Sequence, residues 1–493
     1  MRFNEIREMF KLRPYQENCV RSIYDYINSD RHDPVLVVAP VAAGKSLLLA
    51  EAARIMGGNT IILQPSKELL QQNYDKLISY NIPATIYSAS CGKKELSNMI
   101  YATLGSVKKV IGQLKEMGII NVLIDEAHAG YSPEDGSEFM TFMNELKPRK
   151  VIGFTATPCR LKNMSIGQIS YSQLNFITRM RPVYFKNLIH VIQVEEMIRQ
   201  GFWTPLKYET WDFNGDALKL NSNGSEYTAE SISEAVRKNG LNNLILRRLM
   251  ILKNSCKSIL VFMDSVESCN TAAEWMNAKI CAGMAEVVHG GTPKKQREAI
   301  VERFKSGKTR VVFNYSALGT GFDHPGLDCV VFGRPTFSFS TWYQALGRAV
   351  RIKDGKDSAM VVDCCDNSSR FGDIRGLSIE NYKGYGWGMF IGDNLITNIP
   401  MGDKVTKTDL DIKAAKKDRR RGLAQGITAA PIPGRPPHPL GSTVMTFGKY
   451  CGWMLHSIPV SYFKFINEIF DWDNDRNKDI KEYIDFLIKN NRL

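Results

Sequence analysis

Apolar residues in this chain gather into short unbroken runs instead of alternating with polar ones. Residues 35–39, 60–63, 122–124 and 151–154 are rich in Val, Ile and Leu, and residues 259–262, 310–313, 329–332 and 360–362 repeat the pattern. A half-exposed strand alternates its side chains between two environments; a run without alternation fits a parallel strand buried on both faces. Each run leads into a loop and then a helical stretch, which predicts an α/β fold with a parallel sheet flanked by helices. Because the pattern occurs twice, the expectation is two tandem lobes, 1–200 and 201–372. Between them, at about 165–245, the rhythm loosens into polar and aromatic sequence that includes Asn221-Ser222-Asn223-Gly224-Ser225, read as trailing elements of the first lobe and a connector. From about residue 373 the α/β rhythm stops, and 373–440 reads as a basic and proline-rich linker region. It holds six Lys/Arg against one Asp in 413–421, then the proline-rich 431–437. A last small unit, 441–493, has six aromatic anchors of its own, Phe447, Tyr450, Trp453, Tyr462, Phe463 and Phe465.

Composition narrows the function classes. At 493 residues the chain exceeds one compact core. With 44% hydrophobic and 23% charged residues it is an ordinary globular protein. The sequence lacks both the apolar run that a membrane span needs and an apolar stretch behind Arg2, Glu5, Arg7 and Glu8, so no membrane partner or secretion signal is expected. The expected location is the cytoplasm or nucleoid of a bacterial or phage-infected cell. Ten scattered cysteines contain no C-x-x-C pair, which argues against a zinc site or a disulfide framework. A net charge of +13 favours a polyanionic partner, nucleic acid first.

Two motifs carry chemistry. The first strand runs into Ala39-Pro40-Val41-Ala42-Ala43-Gly44-Lys45-Ser46, followed by a helical stretch. A phosphate cradle needs inward-pointing N–H groups at a helix N-terminus, a lysine for the β and γ oxygens and a hydroxyl for Mg²⁺. Ala43, Gly44, Lys45 and Ser46 supply them, although alanines stand at 39, 42 and 43 where glycine is common. The run 121–124 then ends in Asp125-Glu126-Ala127-His128. A carboxylate at such a strand edge can hold Mg²⁺, and its neighbour can orient or deprotonate an attacking water.

Asp-Glu-Ala-His after a phosphate loop resembles the DEAH-type helicases of superfamily two, and further motifs follow in order. Leu12-Arg13-Pro14-Tyr15-Gln16 is similar to the adenine-reading Q-motif. Gln64-Pro65-Ser66-Lys67-Glu68-Leu69 and Thr103-Leu104-Gly105-Ser106 resemble strand-gripping motifs, and Thr155-Ala156-Thr157-Pro158 resembles the motif that couples hydrolysis to movement. Ser316-Ala317-Leu318-Gly319-Thr320-Gly321-Phe322-Asp323 resembles motif V, and Gln344-Ala345-Leu346-Gly347-Arg348-Ala349-Val350-Arg351 matches motif VI. The resemblance implies two RecA-like lobes closing on ATP and Mg²⁺. Arg13 and Gln16 would meet the adenine; Ser46 and Asp125 would hold the metal; Gly321 and Asp323 would approach the nucleotide. His128, Thr155 and Thr157 would couple, and Pro65, Ser66, Gly105, Ser106 and Thr320 would contact the strand without reading its sequence. Gln344, Arg348 and Arg351 would complete the site from lobe two, with both arginines expected on one helix face from their spacing.

Within the superfamily the chain resembles RadD-like DNA-repair helicases, through 12–16, Gln200-Gly201-Phe202-Trp203-Thr204-Pro205 and 320–351, and is more distantly similar to UvsW-type phage helicases. The C-terminal zinc-binding cysteines expected of RadD-like proteins are absent. Thr446-Phe447-Gly448-Lys449-Tyr450 with Ile458-Pro459 and Tyr462 resembles a small F-G-K-Y module appended to some DNA-metabolism proteins. The implied function is an ATP-dependent DNA helicase or translocase in replication, recombination or repair. Its partners would be single-stranded, forked or branched DNA and single-strand-binding or recombination proteins. Three alternatives stay open: an RNA helicase, a nucleic-acid-binding scaffold with a decayed ATPase, and the motor subunit of a nuclease or restriction system.

Overall fold

A computed structural model of the protein describes residues 12–166, 169–316, 324–382, 385–414, 438–443, 445–446, 454–469, 472 and 477–490. The chain divides into two compact units, 1–381 with 387–405, and 382–386 with 406–493.

The first unit holds two parallel sheets. Its first ten strands are β1 (Val35–Val38), β2 (Thr60–Leu63), β3 (Thr85–Ser88), β4 (Lys93–Lys94), β5 (Met99–Ala102), β6 (Asn121–Ile124), β7 (Lys150–Thr155), β8 (Cys159–Ile166), β9 (Ile169–Phe176) and β10 (Asn187–Val191). Among the described residues the first sheet has eight strands in the order β10-β1-β7-β6-β2-β5-β3-β4, all parallel except the short β4. Every residue of β1, β2, β5 and β7 is buried, as unbroken apolar runs require. The loops after β1, β2, β5, β6 and β7 therefore leave from one edge, the carboxyl edge where α/β sheets place their ligands.

The second sheet is built from β11 (Leu206–Thr210), β12 (Ile259–Phe262), β13 (Ala285–His289), β14 (Val311–Tyr315), β15 (Cys329–Phe332) and β16 (Ala359–Asp363). Among the described residues its order is β11-β16-β15-β12-β14-β13.

The strands that the apolar runs did not show lie mostly at edges. β10, β11 and β13 each close one side of a sheet and carry half-exposed positions, so polar residues interrupt them. The loose stretch after residue 158 contains the antiparallel hairpin β8–β9, paired from Cys159–Phe176 to Ile166–Ile169. Leu174 and Ser172 of that hairpin accept backbone bonds from Asn398 and Met401 at 2.6 and 2.8 Å. Part of the stretch read as linker is itself ordered: β17 (Leu377–Tyr382), β18 (Gly386–Ile391) and β19 (Asn394–Leu395) form a small sheet.

In the second unit, helices Val460–Ile469 and Lys478–Lys489 share a core of Leu455, Ile458, Phe463, Ile466, Ile480, Tyr483, Ile484 and Leu487. Of the six aromatic anchors, Phe463 is buried, Tyr462 half-buried and Phe465 54% exposed. Phe447, Tyr450 and Trp453 lie outside the described residues, as do 415–437. Among the described residues no helix is long and apolar enough to cross a membrane.

Helix Pro14–Asn28, which carries Gln16, is pinned to the first sheet by one lysine. Lys150 Nζ, at the start of β7, donates to the carbonyls of Tyr26, Ser29 and Arg31 at 2.9, 2.7 and 2.6 Å. It thereby satisfies the end of that helix, where carbonyls lack intrahelical partners. Burial pulls the Lys150 pKa down, so its charge rests on those three oxygens. We predict that Lys150→Met lowers unfolding stability by about 2 kcal/mol. Urea denaturation checks it, and a change below about 0.5 kcal/mol would show the cage to be dispensable.

Candidate active site

The phosphate loop joins β1 to helix Lys45–Met56. Ala42 takes a left-handed φ of +64° and Gly44 one of +83°. Glycine tolerates that conformation freely, whereas at Ala42 the Cβ is strained. The loop is braced from behind. Gln16 Nε2 and the Tyr15 hydroxyl both donate to the Ala43 carbonyl, at 2.9 and 3.3 Å. A Cβ on Gly44 would stand 2.5 Å from Gln16 Nε2, so the glycine makes room for the glutamine. Gln16, 4% exposed, thus sits against the loop, while Arg13 faces the cavity beside it.

Two positions along the sheet, Lys45 meets the acidic motif. Its Nζ lies 3.0 Å from Asp125 Oδ1 and also bonds Glu126 Oε1. Burial alone would depress the lysine pKa, but the two carboxylates outweigh it and hold the ammonium charged. For Asp125 burial dominates and raises its pKa, with Lys45 opposing. Asn73 Nδ2 donates to Asp125 Oδ2 at 2.8 Å, and the Glu126 N–H donates to Asp125 Oδ1 at 2.8 Å. Glu126 has a left-handed φ of +46°, a strained backbone at the residue with the most demanding expected role. Behind this layer, His128 Nδ1 is 2.9 Å from Thr155 Oγ1, which also accepts from the Thr157 N–H at 3.0 Å. Burial, with Lys45 and Arg160 nearby, pushes the His128 pKa down to about 3, so the ring is neutral.

The second sheet contributes helix Phe339–Ala349. Its entrance is seated by Ser338, whose Oγ accepts from the Thr341 N–H at 3.2 Å. Glu226 supports that turn by accepting from Thr336 Oγ1 at 2.6 Å and the Phe337 N–H at 2.7 Å. The helix ends at Ala349, so Arg351 lies beyond it and does not share a helix face with Arg348 as their spacing suggested. Both arginines nevertheless line one cavity of about 460 Å³ together with Arg13, Gly44, Lys45, Ser46, Glu126 and Gln344. That volume suits a nucleotide-sized ligand. Burial lowers the pKa of Arg348 to about 10, against the pull of Glu126, and lowers that of Arg351.

The strand-contact candidates Pro65, Ser66, Gly105 and Ser106 lie elsewhere on the same carboxyl edge. Ser66 caps helix Lys67–Ile78 by accepting from the Leu69 N–H at 3.3 Å, with Pro65 exposed beside it. Gly105 is exposed, while Ser106 Oγ is engaged by the Ala89 N–H at 2.9 Å. Thr320, Gly321 and Asp323 lie outside the described residues. Sequence reasoning missed Asn73, Glu226, Lys356 and the role of 202–204. Trp203 Nε1 donates to the Val41 carbonyl at 3.0 Å, and Phe202 packs on Tyr15 and under Arg13. The Gln200–Pro205 stretch was visible as a resemblance, but nothing in its spacing announced a bond to the phosphate loop.

The two lobes pack tightly at Val41 and Gly347, where an added Cβ on the glycine would stand 2.5 Å from Val41 Cβ. We expect Gly347→Ala to push the arginine helix off the loop and to lower ATP turnover about tenfold or more. Val41→Ala in the same chain opens the space and should restore most of that loss. Steady-state ATPase assays check it; an unaffected single mutant would mean that this contact does not set the arginine positions.

Comparison with known proteins agrees with this architecture. Residues 9–160 match the family model described as the type III restriction enzyme, res subunit, and residues 241–353 the helicase conserved C-terminal domain. A Saccharomyces cerevisiae protein whose name assigns it as an ATP-dependent helicase, IRC3, is 24% identical over 395 residues, covering 73% of this chain and 52% of its own. A 51.5 kDa protein of a Lactococcus phage is 24% identical over 332 residues, covering 66% of this chain and 65% of its own. The chain therefore spans about half to two thirds of the length of these relatives. Among solved structures, the ATP-dependent type ISP restriction-modification enzyme LlaBIII, bound to DNA, superposes with a TM-score of 0.53 at 15% identity, over 84% of this chain and 30% of that one. With these two domains in this order on tandem RecA-like lobes, the chain carries the domain pair of the superfamily two helicases, which are nucleic-acid-dependent ATPases.

Proposed function

We propose that this protein is a Mg²⁺- and ATP-dependent DNA motor, a helicase or translocase working on single-stranded, forked or branched DNA in replication, recombination or repair. The observation that supports it most is the cavity in which Lys45 and Glu126 of one lobe face Arg348 and Arg351 of the other. Lys45 neutralises Asp125 and Glu126. When ATP enters, Lys45 moves to its phosphates, whose oxygens also meet the N–H groups of Ala43, Gly44 and the start of helix Lys45–Met56.

Ser46 and Asp125 would hold Mg²⁺. Such an ion takes few protein ligands and completes its shell with phosphate and water. Bound there, Mg²⁺ supplies positive charge to the β and γ oxygens. Glu126 orients the attacking water and receives its proton as the water oxygen bonds to the γ-phosphorus and the bond to the β-bridging oxygen breaks. Arg348 and Arg351 stabilise the charge that spreads over the transferred group, with Gln344 beside them, and the motif V resemblance assigns Gly321 and Asp323 to the nucleotide. Gln16 joins adenine recognition to the loop through the Ala43 carbonyl, and Arg13 lines the cavity beside it.

Pro65, Ser66, Gly105, Ser106 and Thr320 would grip backbone phosphates, helped by a chain charge of +13. His128, Thr155 and Thr157 would report the state of the phosphates to that surface. The resemblance in 12–16, 200–205 and 320–351 favours the RadD-like repair branch over the UvsW-like one, with single-strand-binding or recombination proteins as partners in the bacterial or phage-infected cytoplasm. We place the lobe boundary at about residue 200 and read 441–493 as a separate small module. A second reading, the motor subunit of a restriction system, is favoured by the res-subunit match over 9–160.

Glu126→Gln separates binding from chemistry. We predict that it keeps ATP affinity within about threefold while turnover falls about 100-fold or more. An ATP-bound complex of this variant should then persist on single-stranded DNA in a gel-shift assay. Turnover near the wild-type rate would remove Glu126 from the reaction, and equal retention on RNA would argue against a DNA motor.

A further inference from the structure

Arg351 lies past the end of its helix, so the helix itself does not orient it. Two residues outside motif VI take over that work. Lys356 Nζ donates to the carbonyls of Ala349 and Arg351 at 2.6 and 2.7 Å, and to Pro325 at 3.1 Å. Thr204 donates its N–H to the Val350 carbonyl and its Oγ1 to the Arg351 carbonyl, both at 2.8 Å. The carbonyls of 349, 350 and 351, which a helix end leaves without partners, are thus all engaged. A cation at this end also complements the negative pole of the helix. Thr204 is 3% exposed, so its bonds form where water does not replace them. Neither side chain lines the nucleotide cavity, whereas Arg348 and Arg351 do.

We propose that Lys356, assisted by Thr204, is a positioning residue that fixes Arg351 in the nucleotide cleft. The inference rests on the ATPase reading above and adds a residue that no motif contains. Thr204 belongs to the segment that joins the two sheets, between β10 and β11, so the same clamp ties the orientation of Arg351 to the connection between the lobes. The Pro325 carbonyl, two residues after the motif V stretch, is held by the same ammonium. A residue that acts through Arg351 affects the transition state more than the bound ground state, so it should move kcat and spare KM.

The test compares wild type, Lys356→Met, Arg351→Ala and the double variant as full chains, with ATP kcat and KM measured on single-stranded DNA. We expect Lys356→Met to lower kcat about tenfold with KM for ATP changed by less than about twofold. In the Arg351→Ala background it should lower kcat by less than about twofold, because its route is already gone. Thr204→Val, which removes a single bond and keeps the shape, should give a smaller fall of the same kind, and it carries the test if Lys356→Met does not fold. Equal losses in both backgrounds would make Lys356 a general structural residue and overturn the proposal. So would an unchanged kcat in the variant beside an active wild type. A wild type without turnover on any nucleic acid would instead bring down the ATPase reading, and this inference with it.

Discussion

The rest of the site depends on one buried charge problem: two adjacent carboxylates, Asp125 and Glu126, share a single neutralising ammonium from Lys45. Removing one member of a buried ion pair costs about 3–5 kcal/mol, because the remaining charge is left in a poor solvent. The sheet is built to bring these groups together. β1 and β6 are not neighbours but flank β7, and their carboxyl ends must converge over it. Gly153 on β7 allows this, since a Cβ there would come within 2.8 Å of Leu36, Ala127 and Phe185 at once. The parallel register, the glycine and the ion pair are therefore one arrangement.

The same charge problem suits the nucleotide proposed for this cavity. Phosphates and their metal offer Lys45 and Asp125 new partners of opposite sign, so the ligand satisfies groups that otherwise satisfy each other. On the proposed reading, binding would free Glu126 from the lysine on the side of the cavity that Arg348 and Arg351 also line. Lobe two approaches the loop through Gly347 on Val41 and Trp203 on the Val41 carbonyl. Both contacts join the phosphate loop directly to lobe two, and in the proposed motor an opening and closing cycle would act through them.

Much of this was readable in the residues. The buried central strands β1, β2, β6, β7, β12, β14, β15 and β16 announced themselves because burial on both faces leaves no polar interruption. The edge strands β10, β11 and β13 did not, because one side of each faces polar surroundings; β3 and β5, inside the first sheet, were missed as well, and burial does not explain β5, whose four residues are all buried. The candidate site was legible wherever chemistry demands a residue type at a fixed spacing, as in Gly44-Lys45-Ser46 and Asp125-Glu126. It was illegible wherever the contact is made by chain distant in sequence. Asn73 on Asp125, Glu226 under the arginine helix and Lys356 behind Arg351 are ordinary polar residues until folding delivers them. Spacing also misled once: three residues between Arg348 and Arg351 suggested a shared helix face, but the helix stops between them. The alanines of the phosphate loop were legible as a departure, and the structure shows its cost at Ala42, which adopts the backbone that glycine would adopt freely.

The most direct measurement is the ATP turnover of the unmodified chain with Mg²⁺, alone and with single-stranded DNA, forked DNA or RNA. Slow hydrolysis alone and strong stimulation by DNA are expected, as the lobes close on a strand and bring Arg348 and Arg351 to bear. Absence of turnover under all four conditions would contradict the proposed motor, and would make the cavity a binding site without an engine.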